Sequence, residues 1–121
     1  MGLFDTTQLG LEQALSGAAL RQRAIANNIA NANTAGYKRS DVDFHSALAG
    51  ALGAPDAQSK LRGLFFKPET DTSSATRADG NNVDIDREAT YLAQTQLQFS
   101  ALMAVVTKNL TTMSSIITGA R

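Results

Sequence analysis

The two ends of the chain carry the same apolar rhythm, and that rhythm constrains the fold more than any other feature. Leu11, Leu15, Ala18, Gln22, Ile25, Ile29 and Ala32 follow one another at steps of four and three. Ile85, Ala89, Leu92, Gln96, Phe99, Met103, Val106, Leu110, Met113 and Ile117 repeat the pattern for longer. This is the seam of a helix that packs on another helix. Both prolines, Pro55 and Pro68, fall between the two segments. Two such seams in one chain bury each other most simply as an antiparallel pair. The expected fold is mainly α: two long terminal helices form an antiparallel coiled-coil pair, with a short irregular, β-containing middle. The expected divisions are an N-terminal helix within residues 1–35, a middle over 36–83 and a C-terminal helix within 84–121, the two helices forming one domain.

The ends of the helices are marked locally. Asp5 suits an N-cap, with Gln8 three residues on and Phe4 and Leu9 placed as a hydrophobic staple. The first helix is predicted over about 6–34, with Gly36 as the residue past its end. Asp84 suits the N-cap of the last helix, Asp86 and Glu88 suit the positive end of its dipole, and Gly119 ends it. The seam interface is expected at Leu11, Leu15, Ile25 and Ile29 of the first helix. On the last it is expected at Leu92, Phe99, Met103, Val106, Leu110 and Met113. Gln22 and Gln96 hold equivalent seam positions, either as tolerated polar residues or as a register-setting contact.

Charge is segregated along the chain. The 11 Lys+Arg balance the 11 Asp+Glu, but most of both lie in the middle. A solvated helix normally carries charge on its outer face; here those faces are Ala, Ser, Thr, Gln and Asn, with Leu20, Leu97, Leu102, Val105 and Ile116 off the seam. Such surfaces are easily desolvated, so both helices are expected to be buried by other subunits. A two-helix chain also lacks a third layer, which points to folding together with assembly.

The middle is predicted as a short helix over Asp41–Leu52, a flexible linker over 53–60, a strand over Leu61–Lys67 and a weaker one over Thr70–Arg77. Asp79-Gly80-Asn81-Asn82 reads as a turn into the last helix.

Chemistry is sparse. With no cysteine and one histidine, His45, thiol catalysis and multi-histidine metal sites are excluded. Asp41, Asp43 and His45 alternate, but read better as charges at the start of a short helix than as metal ligands. Asp79, Asp84, Asp86 and Glu88 resemble a calcium loop only superficially, because Ala75 and Arg77 fall where ligands are required. There is no P-loop, dinucleotide fingerprint or nucleophile elbow. The expectation is no catalytic residue, no cofactor and no metal. The zero net charge gives no argument for nucleic acid. No stretch is apolar enough to span a membrane and the start has no secretory-signal pattern. The myristoylation-like start Met1–Thr6 and the sequon at Asn109 read as chance matches.

One cluster needs a reason. Asn27, Asn28, Asn31 and Asn33 crowd the end of the first helix, where asparagine is a mediocre helix former. Their amides can donate and accept together. The run Asn27-Asn28-Ile29-Ala30-Asn31-Ala32-Asn33-Thr34-Ala35-Gly36-Tyr37-Lys38 closely resembles the N-terminal signature of the flagellar rod and hook axial proteins. Asp41-Val42-Asp43-Phe44 and Asp79-Gly80-Asn81-Asn82-Val83-Asp84-Ile85-Asp86-Arg87-Glu88 are similar to the short proximal-rod members of that family. The likeness covers about two-thirds of the chain and leaves out residues 50–78.

The resemblance implies a structural subunit whose terminal helices pack into an axial tube that transmits torque and surrounds an export channel. It implies placement in the basal-body rod across the periplasmic space, and export by the flagellar type III apparatus without a cleaved signal. Implied partners are other proximal rod proteins and the junction protein at the membrane ring and export gate, in homo- and hetero-oligomeric assembly. Candidate subunit contacts are Asn27, Asn28, Asn31, Tyr37, Asp84 and Arg87. The competing expectation is a soluble helical-hairpin adaptor that binds a partner helix in the cytosol.

Overall fold

The computed structural model describes residues 3–119, with side chains from Asp5 onward. The elements run α1 (Leu3–Ala30), β1 (Ser40–Asp41), α2 (Phe44–Leu52), α3 (Ala57–Arg62), β2 (Glu69–Thr70) and α4 (Ile85–Ile117). The long terminal helices lie against each other. Their antiparallel sense is fixed at two levels. Asn28 near the end of α1 bonds Glu88 in the first turn of α4, and mid-helix Ala18 packs in the same cluster as mid-helix Phe99.

A third layer completes the core. The middle segment, expected to be too irregular for this, folds α2 and α3 across α1. Small residues on α1 make the approach possible. A Cβ on Gly17 would stand 2.6 Å from the Phe44 side chain. Glycine inside a helix costs up to ~1 kcal/mol, and here the vacancy admits Phe44, which is 1% exposed. Phe44 joins Ala18, Ala24 and Val42, with Leu20, Phe66 and Phe99 packed around them. Phe66 meets Phe44 edge-on, at 6.2 Å between centroids.

The middle departs from its predicted course. Residues 57–62, expected as linker and the start of a strand, form α3. Leu61 is fully buried, and its carbonyl accepts a 2.8 Å bond from the Gln13 amide of α1. The predicted strand over Leu61–Lys67 is absent. Instead β1 and β2 pair antiparallel over two residues each, with Ser40 opposite Thr70 and Asp41 opposite Glu69.

Helix α2 starts at Phe44 rather than Asp41, because Asp43 caps it by accepting the Ser46 N–H at 3.3 Å. Asp84 caps α4 by accepting the N–H groups of Asp86 and Arg87 at 3.1 and 3.3 Å. Asp5 lies within the first turn of α1 rather than before it. The Phe4 partner of the expected staple lies outside the described side chains. Gly36 is not the residue just past α1, which ends at Ala30 and unwinds through turns.

The face that α4 turns inward is rotated from the predicted seam. Its less exposed positions form a stripe of Glu88, Leu92, Thr95, Phe99, Leu102, Val106 and Asn109, flanked by Tyr91 and Gln98. These share Leu92, Phe99 and Val106 with the predicted seam and otherwise sit one residue earlier. Glu88 and Thr95 are the fully buried members, so polarity hid the most deeply buried positions of the true stripe. Ile85, Met103 and Leu110 are left 51%, 43% and 52% exposed.

Candidate assembly site

The end of α1, β1, the loop before α4 and the first turn of α4 meet in a buried polar hub. Asn28, at its centre, is fully buried. Its amide nitrogen donates to the Ser40 carbonyl at 2.7 Å and to Glu88 Oε2 at 3.0 Å. Its amide oxygen accepts from the Ser40 N–H at 2.9 Å and the Tyr37 hydroxyl at 3.3 Å. The amide therefore has a full set of partners inside the chain.

Glu88, also fully buried, takes its second partner from Arg39, at 2.5 Å. Arg39 further reaches Asp71 and Asp41, each at 3.3 Å. Arg21 of α1 holds the other side of Asp41 at 2.9 Å. The Tyr91 ring lies beneath both guanidiniums, 5.2 Å from Arg21 and 5.4 Å from Arg39. Each charge taken from water thus has several hydrogen-bonded partners, as a buried charge requires.

The electrostatics follow from these contacts. Burial alone would raise the Asp41 carboxyl, but the Arg21 hydrogen bond, the Val42 N–H, the Arg21 charge and the Arg39 hydrogen bond hold it below its usual range. Burial likewise opposes the charge on Arg39, and Glu88 with Asp41 more than restores it. The Ser74 hydroxyl and the N–H and hydroxyl of Ser73 hold Asp71 well below the carboxylate range.

A second set of bonds ties the α1 terminus to the loop before α4. The buried Asn81 amide donates to the carbonyls of Asn31, Ala32 and Thr34 at 2.9, 3.2 and 2.8 Å. The Asn31 and Thr34 carbonyls also accept the turn N–H groups of Thr34 and Tyr37, at 3.0 and 3.2 Å, so Asn81 joins turns that α1 forms as it unwinds. Asn82 accepts the Arg39 N–H at 2.7 Å and donates to the Asp71 carbonyl at 2.7 Å. Arg77 donates to the carbonyls of Val83 and Ala32. Gly36 and Gly80 both adopt positive φ, at 74° and 85°, and a Cβ on Gly80 would lie 3.4 Å from the Gly36 Cα. The two sequence signatures are two halves of one clasp.

This placement redistributes the expected contact residues. Asn28, expected at a subunit interface, is consumed within the chain, and Tyr37 serves it. Asn31 folds back on α1, donating to the Asn27 carbonyl at 2.8 Å. Asn27, Asp84 and Arg87 remain exposed. Of the expected seam, Ile25 is buried, and Leu11, Leu15, Ile29, Leu92, Phe99 and Val106 are half-buried. Met103, Leu110 and Met113 are exposed, the last two within the end of α4 where every described residue from Leu110 onward is exposed. Gln96 is exposed, and the polar contact that fixes register across the pair is Asn28 with Glu88. Nothing in the sequence singled out Arg39 or Asp71. Asn81 and Asn82 were legible as a turn but not as a clasp.

The acidic and histidine candidates are each occupied. Asp41 is ion-paired and Asp43 caps α2. His45 stacks on Phe44 at 4.3 Å and meets Gln98 at 3.3 Å. Among the described residues no three His, Cys, Asp or Glu side chains gather as a metal site would require. No described helix is long and apolar enough to cross a membrane.

Beyond the hub α4 exposes many apolar side chains, and from Leu110 onward every described residue of it is exposed. Leu97, Val105, Ile116 and Ile117 are 74%, 46%, 68% and 79% exposed, alongside Met103 and Leu110. Exposed apolar side chains in this number on one helix mark it as an interaction element.

Residues 11–38, which run from α1 into the hub, match the family described as flagella basal body rod protein. Over its whole length the chain is 34% identical to the flagellar basal body rod protein FlgB of Bacillus subtilis (strain 168), and spans all of that protein. It is 36% identical to FlgB of Borrelia hermsii over 83% of this chain and 87% of that one. With FlgB of Escherichia coli (strain K12) it shares 30% identity over 88% of each chain. The clasped helix pair and these likenesses define a class, the structural subunits of the flagellar basal-body rod. Within that class the chain belongs to the FlgB family.

Proposed function

We propose that this rod subunit builds the proximal part of the rod through the exposed apolar side chains of α4, in a tube that transmits torque and surrounds the export channel. The observation that carries the reading is the run of exposed apolar side chains on α4, which no described element of the chain covers. Met103, Leu110 and Met113 then face neighbouring subunits, while Leu92, Phe99 and Val106 serve the helix pair. Asn27, Asp84 and Arg87 supply polar subunit contacts. The neighbours are other proximal rod proteins and the junction protein at the membrane ring and export gate. The chain reaches the periplasmic space through the flagellar type III apparatus, without a cleaved signal. Its work is assembly, not a chemical reaction, and it takes neither cofactor nor nucleic acid.

The test is an immunoblot of purified hook–basal bodies beside cytoplasmic and periplasmic fractions. The chain is expected in the basal bodies after washing, at its full unprocessed mass. Recovery only in the cytoplasm of a flagellated cell would overturn the reading.

A further inference from the structure

The middle segment carries a knob and a hole on separate surfaces. The knob is Phe65, 83% exposed on the strap between α3 and β2. It stands outward because its neighbour Phe66 is pinned against Phe44, and successive residues of an extended strap point to opposite sides. Asp43, Lys67 and Glu69 line the same hollow beside it. The hole is a cavity of about 210 Å3 between α1 and the strap. Leu20, Ala24, Tyr37 and Pro68 form its walls, and Arg23 and Asn27 stand exposed at its edge. An apolar cavity of about 150 Å3 already accepts a benzene ring, so the hole is large enough for one aromatic side chain.

No residue lines both surfaces. The knob carries two carboxylates to one lysine, and the hole carries an arginine. No described partner engages the side chains of Arg23, Asn27 or Glu69.

We propose that Phe65 of one copy of this chain docks into the hole of a second copy, with Arg23 meeting the acidic margin of the knob. Charge complementarity selects this occupant: the knob margin is net acidic, the hole is basic, and both occur on every copy. Arg23 can also stand over the incoming ring as a cation–π partner. Because knob and hole are different patches, the contact is heterologous, and a contact of that type extends as an open helix unless its rotation closes into a ring. Its setting rests on the rod reading above; the contact itself does not.

The chain has no cysteine, so introduced thiols report the contact directly. The Asn27→Cys and Lys67→Cys chains, each full length, are purified, mixed at high concentration and oxidised. The mixed disulfide dimer is expected in roughly tenfold excess over either homodimer. The chain bearing both substitutions is expected to give a ladder of multimers. Adding Phe65→Ala is expected to abolish the ladder while leaving the thermal melt unchanged, since Phe65 supports nothing within the chain. Homodimers equal to mixed dimers, or a ladder that survives Phe65→Ala, would overturn the proposal.

The double variant is also oxidised within isolated hook–basal bodies, where the same ladder is expected. A cross-link to a protein of different mass would overturn the second-copy assignment. A solution ladder with the chain missing from basal bodies would sink the rod reading and leave the contact standing. The chain present in basal bodies with no ladder in either setting would do the reverse.

Discussion

Asn28 and Glu88 meet 3.0 Å apart with no exposure to solvent. At such a position the cost of removing one partner exceeds the net worth of the bond, because the other partner stays buried and unmet. Glu88→Ala strips Arg39 of its shortest ion pair and Asn28 of an acceptor. The expected loss is about 3 kcal/mol of unfolding free energy, read from the urea midpoint at constant slope. A midpoint within error of the parent would show that Asp41 and Asp71 suffice for Arg39. Little of this was legible beforehand. The asparagine cluster showed that something polar happens at the end of α1, yet an amide that bonds its own chain looks the same in sequence as one that bonds a neighbour. Glu88 suits the first turn of a helix on dipole grounds, and that reading hid its burial. Arg39 gave no signal, because a lone arginine in a charged stretch is ordinarily solvated.

Among the elements, α4 separates packing from assembly. Val106 sits on the inward stripe with Phe99, whereas Leu97 is 74% exposed. Leu97→Asp is expected to leave helicity and melting within about 0.5 kcal/mol of the parent and to prevent recovery of the chain in basal bodies. Val106→Asp is expected to lower the melting temperature as well as incorporation. A motile strain carrying Val106→Asp would count against the packing described here. The existence and ends of α4 were readable: the seam gave the helix, Asp84 gave its cap and Gly119 its stop. Its rotation was not, because hydrophobicity alone favours Met103 and Leu110 over Thr95 and Asn109. Both apolar rows are helical in period; the partner decides which one is covered. α3 was missed for a different reason. Gly53, Ala54 and Pro55 announce a loop, and the six residues of Ala57–Arg62 are too few to show a period. What holds them helical is Leu61, seated against α1.

For the whole molecule, the carboxylates set how the fold responds to acid. Asp41 and Asp71 both titrate below their ordinary range in the folded chain. The unfolded chain therefore binds more protons as pH falls toward the ordinary aspartate value of about 3.9. Stability from these groups is fully present above that value and is lost as pH drops through their depressed folded values. Melts followed by circular dichroism are expected to be flat from pH 7 to about pH 5 and to fall steeply below about pH 4. Asp71→Asn is expected to lower stability at pH 7 and reduce the acid slope. An unchanged slope would place the acid sensitivity elsewhere.

The bond from Asn28 to Glu88 joins residues 60 apart in sequence. Until Glu88 has emerged from the ribosome, the clasp has nothing to close upon. The first helix then lacks its partner, and an isolated helix of 28 residues is held only weakly by its own backbone. Completion of the core is thus deferred until residue 88 has been made and has emerged. A molecule with this wiring stays pliable for most of its synthesis and commits late, when both ends are in hand.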